Sequence, residues 1–225
     1  MICSQAQCLL VLKSISHSRR EDRQKGAEDM RLIEREPRGV MMPGNDLVAA
    51  GFAGREGARL IARAREEELL GWFSRDYIRR IQEEDCFTMD HKSPPWRKYG
   101  ALEWEEVGEG GILTALWNLS GAYMLGFEIH LHQIPVKQET IEVCERYDLN
   151  PYRLYSKNCV IAAAENGGHL VRRLCEAGIP SAVIGMVSQG IRREIRYSQV
   201  RGYLERPRED ELYKILAKEF PLTAT

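Results

Sequence analysis

The chain has 225 residues, with 32 lysines and arginines against 33 aspartates and glutamates, so its formal net charge is −1. This balance leaves no excess of positive charge to neutralise a phosphate backbone, which argues against a dedicated nucleic-acid-binding protein. Hydrophobic residues make up 44% of the chain and charged residues 29%, as in an ordinary soluble globular protein. No stretch approaches the roughly 18 consecutive apolar residues of a membrane-spanning helix. We therefore expect a cytoplasmic protein that binds neither nucleic acid nor membrane.

The chain divides into two parts that differ in composition and hydrophobic pattern. Residues 1–42 carry a mixed-charge run, with seven basic and six acidic residues between His17 and Arg38 and almost no apolar periodicity. Such a run is typical of a solvated helix or a disordered arm. From Pro43 onward, turn residues alternate with apolar segments, as in a folded domain. The predicted organisation is an amino-terminal appendage over 1–42 and one domain over 43–225.

Turn and capping residues predict the elements of the first half of the domain. Pro43-Gly44-Asn45 is typical of a turn that leads into the first strand. The elements that follow are a buried strand at Asp46–Ala50, a polar helix that follows Gly51–Gly57 and ends near Leu70, a helix from the N-cap Ser74 to about Glu84, and a loop over 85–100 with room for a short helix.

Hydrophobic periodicity predicts the elements of the second half. They are a helix from Gly110-Gly111 to Tyr123, a half-buried strand over 127–131, a helix over 139–147, a buried strand over 158–164, a helix over 168–177 closed by Gly178, a central strand over 181–187, an edge strand over 191–197 and a terminal helix over 209–219. This order predicts an α+β (mixed α/β) fold with one mixed sheet covered by helices.

The six cysteines are scattered and form no C-x-x-C pair. Disulfides are rare in cytosolic proteins, and single cysteines in a chain of this size usually behave as small buried hydrophobes. We therefore predict reduced, buried thiols rather than a disulfide framework or a zinc site. The cysteines are Cys3, Cys8, Cys86, Cys144, Cys159 and Cys175.

Two motifs have a functional and a structural interpretation. Gly51, Gly54 and Gly57 follow a strand and precede a helix, but their spacing is not G-x-G-x-x-G, and the segment about 20 residues on reads as helix rather than as a strand ending in an acid. Tight packing between strand and helix therefore explains them better than a dinucleotide site. Glu128, His130 and His132 alternate with apolar residues, which fits the polar face of a strand as well as a zinc site.

The segment Glu105–Gly111 is the third candidate. Its two terminal glycines open a helix, where exposed main-chain N–H groups and the helix dipole favour an anion. Its three carboxylates repel a phosphate that no cation accompanies. An anion site and a strand–turn–helix junction with solvated acids are equally compatible with these residue types.

The same segment carries a resemblance to a known family. Residues 106–117 resemble the D-[IVP]-T-x-G-G-[IL] signature that opens the carboxy-terminal domain of the aminoimidazole ribonucleotide synthetase (AIR synthase) superfamily, and residues 43–48 resemble the P-G-D-x-[IV]-V strand that begins it. The resemblance covers about Pro43 to Leu216 and is closest to the hydrogenase-maturation carbamoyl dehydratase, or AIR synthase-related, type. Further similar stretches lie at 126–129, 134–140, 149–152, 177–185 and 203–213.

The resemblance implies a two-domain enzyme that uses ATP and Mg²⁺ to phosphorylate an amide- or thioamide-like oxygen, with the ATP site mainly on the amino-terminal domain. Forty-two preceding residues are too few for that domain's sheet. We therefore expect no cofactor for this chain alone, and Mg-ATP only if an amino-terminal domain completes it.

The resemblance also assigns the candidate substrate- or phosphate-binding residues, which are Glu106, Gly108, Gly110 and Gly111. Two of them depart from the family pattern, because Glu106 stands in place of the usual aspartate and Gly108 in place of a threonine. Glycine has no hydroxyl to hydrogen-bond a phosphorylated substrate. We assign no catalytic residue and no metal ligand to this chain.

Two functions follow from these observations. The first is a carboxy-terminal-type domain that is inactive alone and acts through protein contacts. The alternative is one half of an ATP-dependent maturation enzyme that a separately encoded ATP-binding domain completes. For the isolated domain we expect an exposed apolar patch and self-association, because it exposes the surface that the missing half would cover.

Overall fold

The computed structural model describes residues 41–83, 87, 95–207 and 209–216, and these residues fold around one seven-stranded sheet. The strands are β1 (Asp46–Ala50), β2 (Ala101–Glu106), β3 (Gly126–His130), β4 (Val160–Ala164), β5 (Ser181–Ser188), β6 (Arg193–Tyr197) and β7 (Val200–Tyr203). Their order in the sheet is β2-β4-β1-β5-β3-β6-β7. Neighbouring strands are antiparallel except for β3 and β6, which are parallel. The predicted mixed sheet in an α+β fold is confirmed.

Eight α-helices connect or cover the strands in the described residues. They are α1 (Arg55–Ala64), α2 (Glu66–Leu69), α3 (Arg75–Gln82), α4 (Trp96–Tyr99), α5 (Gly111–Tyr123), α6 (Gln138–Arg146), α7 (Gly167–Glu176) and α8 (Tyr213–Leu216). Short 3₁₀ turns lie at Leu131–Gln133 and Pro151–Arg153. None of the helices in this part of the chain has the length and apolar character needed to cross a membrane.

Both faces of the central strands are buried, which explains their continuous apolar sequence. On β1, Leu47 and Ala49 face a core that includes Ile112 and Leu116 of α5. The alternate residues of β1 face a second core formed by α4, α7 and the opposite face of β4. The small alanines of β1 and β4 let helices approach the sheet from both sides.

A third apolar cluster lies between helices away from the sheet. It joins α1, α2, α3, α6 and α8 around Leu154, a fully buried residue of the loop before β4. Leu212 and Leu216, near the end of the described chain, are each 1% exposed and belong to this cluster. The loop from Asn150 to Ser156 therefore lies at the centre of the helical layer.

Several local predictions are confirmed with the physical cause that motivated them. The first strand spans Asp46–Ala50 as predicted. Ser74 caps α3, because its hydroxyl accepts a hydrogen bond from the Tyr77 N–H at 3.3 Å. Gly178 has a φ of 78°, the left-handed conformation expected of the residue that ends a helix. β5 lies in the middle of the sheet.

The prediction of an edge strand over 191–197 is wrong. β6 lies between β3 and β7. The edge strand at this end of the sheet is β7, which the sequence did not indicate. The two strands form a hairpin in which Tyr197 pairs with Val200. Ser198 takes a positive φ of 50° in its turn, and the turn lacks the Asn-Gly or Asp-Gly pair that announces such hairpins.

Other elements differ in extent. β2 is absent from the predicted order, although one interpretation of the 105–111 segment already included a strand before the turn. The helix expected to end near Leu70 is interrupted at Arg65. The strand after α5 ends at His130 rather than at residue 131. The terminal helix is described only as α8, and residues 1–40, 208 and 217–225 lie outside the described residues, so the appendage over 1–42 stays a prediction.

The cysteine prediction holds for two of the three described residues. Cys144 and Cys159 are free and buried, whereas Cys175 is free but exposed, because it lies on the outer side of α7. Burial raises the pKa of the Cys144 and Cys159 thiols to about 12, which keeps them protonated and unreactive at neutral pH. Cys3, Cys8 and Cys86 lie outside the described residues.

Gly57 provides a direct test of the packing in this layer. A Cβ at this position would lie 2.4 Å from the Leu154 Cγ, so Gly57→Ala should destabilise the protein by about 1–3 kcal/mol through overpacking. The matched control is Gly202→Ala on β7, where a Cβ meets nothing within 4 Å. Urea denaturation of both variants measures the difference. Equal free energies of unfolding would contradict the described packing.

Candidate functional site

The turn between β2 and α5 is the candidate site, and it contains all four residues singled out by the sequence. Glu106 ends β2 and is exposed, Gly108 is half-buried, and Gly110 and Gly111 are buried. The Gly108 carbonyl accepts hydrogen bonds from the main-chain N–H groups of Gly111 and Ser156, both at 3.2 Å. The turn is therefore tied to the loop that precedes β4.

Glycine is required at the start of α5 for two separate reasons. Gly110 and Gly111 have φ values of 80° and 66°, a left-handed conformation that residues with a Cβ rarely adopt. In addition, a Cβ on Gly111 would lie 2.6 Å from the Tyr152 carbonyl oxygen. The Thr114 hydroxyl adds a contact within the first turn of the helix, because it donates a hydrogen bond to the Gly110 carbonyl at 2.8 Å.

The Asp210 carboxylate lies at the start of α5 and binds the buried N–H group of its N-cap residue, Gly110. Its Oδ2 accepts a hydrogen bond from the Gly110 N–H at 2.6 Å. Its Oδ1 accepts from the N–H groups of Tyr155 at 3.2 Å and Leu212 at 2.8 Å. Asp210 is only 3% exposed. The helix start attracts a negative charge, as its chemistry predicts, and in this structure the charge comes from the chain itself.

Burial has the largest effect on the pKa of the Asp210 carboxyl. Desolvation raises the pKa of its carboxyl from the ordinary 3.8 to about 6, against the opposing effect of the three N–H donors, and the nearby Glu109 adds to the increase. Within the described residues, no salt bridge reaches Asp210. The ionised carboxylate is therefore held by main-chain dipoles alone.

The adjacent residue ties the same segment to the same loop. The Glu211 carboxylate accepts a hydrogen bond from the Asn150 N–H at 3.4 Å and binds the Lys214 ammonium group. The Glu211 N–H donates to the Arg153 carbonyl at 3.3 Å. Asp210 and Glu211 thus attach the segment Glu209–Leu216 to the loop at 150–155 as well as to the turn.

The sequence reasoning did not identify Asp210 as part of this site. It noted residues 210–213 only as part of the family-like tail. One hundred residues separate Asp210 from Gly110, and no local pattern links them. Asp210 stands between Glu209 and Glu211 in the sequence, and nothing in this run of three acidic residues indicates which of them is buried.

The glycines at the start of α1 serve packing, as predicted. The Gly54 N–H donates to the Ser156 hydroxyl at 2.7 Å, and the Gly57 N–H donates to the Tyr155 carbonyl at 2.8 Å. The Gly51 N–H binds the Pro180 carbonyl at 2.7 Å. These N–H groups are bound within the protein, so the dinucleotide interpretation gains no support.

The three polar residues Glu128, His130 and His132 lie in two different environments. Glu128 on β3 forms a salt bridge of 3.0 Å with Arg196 on β6. His130 ends β3, while His132 lies in the 3₁₀ turn, and their rings meet edge to face with centroids 5.7 Å apart. No group of three or more metal-ligating side chains occurs among the residues that the structure describes. The polar-face interpretation is the one that these contacts favour.

Comparison with solved structures confirms the fold suggested by the sequence resemblance. No protein-family model and no curated protein matches the sequence. The Escherichia coli hydrogenase maturation protein HypE is similar over 76% of this chain and 52% of its own, with 19% identity and a TM-score of 0.58. A HypE–HypF complex is similar over 75% of this chain and 54% of that chain, with 17% identity and a TM-score of 0.52.

A second enzyme class shares the architecture. Thiamine-monophosphate kinase from Stenotrophomonas maltophilia is similar over 71% of this chain and 51% of its own, with 15% identity and a TM-score of 0.53. These proteins have the AIR synthase-like fold, and this chain has it too. The chain spans about half the length of the structures it matches.

The raised pKa of Asp210 predicts a pH dependence of stability. The folded chain holds this proton up to about pH 6, whereas the unfolded chain releases it near the ordinary value of 3.8. The stabilisation is therefore complete below 3.8 and lost as the pH rises through about 6. At about 1.4 kcal/mol for each unit of pKa difference, it amounts to at most about 3 kcal/mol.

Urea denaturation at several pH values between 4 and 7.5 measures this contribution. Asp210→Asn, which cannot titrate, should flatten the pH dependence of the free energy of unfolding relative to the unmodified chain. Asp76→Asn is the matched control, because that carboxylate is 92% exposed. An unchanged pH profile in Asp210→Asn would show that the buried carboxyl does not titrate in this range.

Proposed function

We propose that this chain is a carboxy-terminal-type domain of the AIR synthase-like fold that performs no chemistry alone and acts through contacts with another protein domain. The observation that carries the proposal is an exposed apolar edge formed by β6, β7 and the residues before them. The internal carboxylate at the start of α5 supports it, since the Gly110 N–H is already bound to Asp210.

The exposed apolar edge carries several large apolar side chains that are exposed to water. Of the eight large apolar side chains that are exposed in the described residues, four lie between positions 191 and 203. They are Ile191, Tyr197, Val200 and Tyr203, with exposed fractions of 57–68%. No described strand pairs with the outer side of β7. An unpaired strand edge with apolar side chains is a surface suited to another chain.

The HypE–HypF complex supports contact between proteins as a function of this fold, because HypE in that structure is bound to another protein. For this chain, two partners agree with the exposed apolar edge. One is a second copy of the chain, and the other is a separately encoded ATP-binding domain.

Self-association through the apolar edge is directly measurable. The sedimentation coefficient of the purified chain should rise with concentration, and the double substitution Val200→Gln and Tyr203→Gln should remove that rise by making the edge polar. Trp72→Gln is the control, since Trp72 is also 58% exposed but lies between α2 and α3. A strictly monomeric profile of the unmodified chain at high concentration would contradict self-association.

The second candidate is half of an ATP-dependent enzyme that activates an amide- or thioamide-like oxygen, completed by a separate ATP-binding domain. The observation that favours it is the conformation of the turn, where two consecutive left-handed glycines open α5 at the position of the glycine pair in the sequence signature. In such a complex, Glu106, Gly108, Gly110 and Gly111 would face the phosphate-bearing substrate, and Mg-ATP would be the cofactor.

The response to Mg-ATP distinguishes the two proposed functions. The chain alone should show no thermal shift with Mg-ATP. If the second candidate holds, mixing the chain with an ATP-binding amino-terminal domain of the superfamily should give a stable complex with ATPase activity. Gly108→Asp should then abolish that activity, because it places a negative charge beside the proposed phosphate position.

Gly108 suits this test because substitution there does not disturb the packing. A Cβ at Gly108 meets nothing within 4 Å, so both variants should fold. Gly108→Asn is the matched neutral control and should retain ATPase activity. A clear Mg-ATP shift with the chain alone would overturn the proposal of an inactive domain. Equal activity in both variants would place the phosphate elsewhere.

A further inference from the structure

One buried carboxylate joins three segments that are distant in sequence. The Asp210 carboxylate accepts hydrogen bonds from the N–H groups of Gly110 in the turn before α5, Tyr155 in the loop before β4 and Leu212 in its own segment. This segment, Glu209–Leu216, is called the strap below. Because Gly110 and Tyr155 bond to the same side chain, losing the Asp210 carboxylate would remove the bond from the strap to the turn and one of its bonds to the loop. The Glu211 bonds to the loop would remain.

The Asp210 carboxylate is bound as an anion would be. Main-chain N–H groups at a helix start are the usual ligands of phosphate and carboxylate, and the shortest of the three bonds, 2.6 Å, comes from Gly110 at the start of α5. A phosphate oxygen that approached the same N–H would meet a buried negative charge within a few ångströms. At low effective dielectric, this repulsion is large.

The strap has the features of a removable contact. Its attachments include the Asp210 and Glu211 hydrogen bonds and a bond of 3.5 Å from the Arg65 guanidinium to the Ile215 carbonyl. Two buried leucines, Leu212 and Leu216, also pack in the helical cluster. It contributes no strand to the sheet, and its helix α8 has only four residues. Lifting the strap would therefore break few main-chain hydrogen bonds and leave the sheet intact.

We propose that the strap Glu209–Leu216 is an autoinhibitory contact in which Asp210 occupies the Gly110 N–H and must leave before a phosphate group binds the turn. The proposal rests on the phosphate contact described for the second candidate function. It adds the regulation of that site: the chain supplies its own anion, and the fraction of molecules with the strap lifted limits the apparent affinity for phosphate.

Inorganic pyrophosphate is the probe for this competition. Titration of the isotopically labelled chain, followed by NMR at the Gly110 and Gly111 amides, gives an apparent Kd for the unmodified chain and for Asp210→Ala at equal ionic strength. If the strap is closed in most molecules, Asp210→Ala should bind pyrophosphate about tenfold or more tightly. Asp76→Ala, which removes an exposed carboxylate of α3, should bind as the unmodified chain does.

A second variant keeps the test independent of the folding of Asp210→Ala. Leu216→Ala retains the Asp210 carboxylate but removes a leucine that anchors the strap and is 1% exposed. It should also tighten pyrophosphate binding and speed hydrogen exchange at the Gly110 amide. A change in both measurements supports the strap.

Two results would overturn the proposal, and they have different meanings. If the unmodified chain and both strap variants bind pyrophosphate equally at Gly110, the phosphate contact is real but the strap does not compete with it. If none of the folded variants binds pyrophosphate although the Gly110 amide exchanges rapidly, the phosphate contact itself fails and the autoinhibitory role fails with it.

Discussion

The close packing of the loop from Asn150 to Ser156 against two glycine positions is the constraint on which the rest of the structure depends. Leu154 fills the space left by the missing side chain of Gly57, and the Tyr152 carbonyl fills the space beside Gly111. The loop therefore holds the start of α1 and the start of α5 against its own residues. Asp210 and Glu211 then bind the same loop, so the carboxy-terminal segment depends on it as well.

This arrangement gives the turn before α5 its chemical character. The turn contains the four residues that the sequence resemblance singled out, among them the half-buried Gly108 and the exposed Glu106, yet the buried Gly110 N–H already has an acceptor within the chain. An internal carboxylate at a helix start is electrostatically equivalent to a bound anion. The two proposed functions therefore differ in whether the chain ever exchanges that carboxylate for a phosphate group.

Local physical signals predicted most of the fold. The residues after Asp46 in β1 and the alanine-rich segment of β4 form short apolar runs, which are typical of strands buried on both faces, and the structure places both strands inside the sheet. Ser74 begins a helix by capping it with its hydroxyl, and Gly178 ends one by taking a left-handed conformation. Both effects act within four residues of the chain. The hairpin of β6 and β7 was not predicted because its turn places Ser198 in a left-handed conformation and lacks the glycine or asparagine that usually marks such a turn.

By itself, the sequence determined the class of fold, most of the helices and strands, and the turn at Glu106–Gly111, because periodicity, capping and glycine chemistry act over short distances. Only the tertiary structure decided what the Gly110 N–H binds, because Asp210 lies one hundred residues away. The same holds for the sheet edge, since strand order depends on long-range pairing. Both facts come from contacts between distant segments, and they carry the two proposals on protein contact and on the strap.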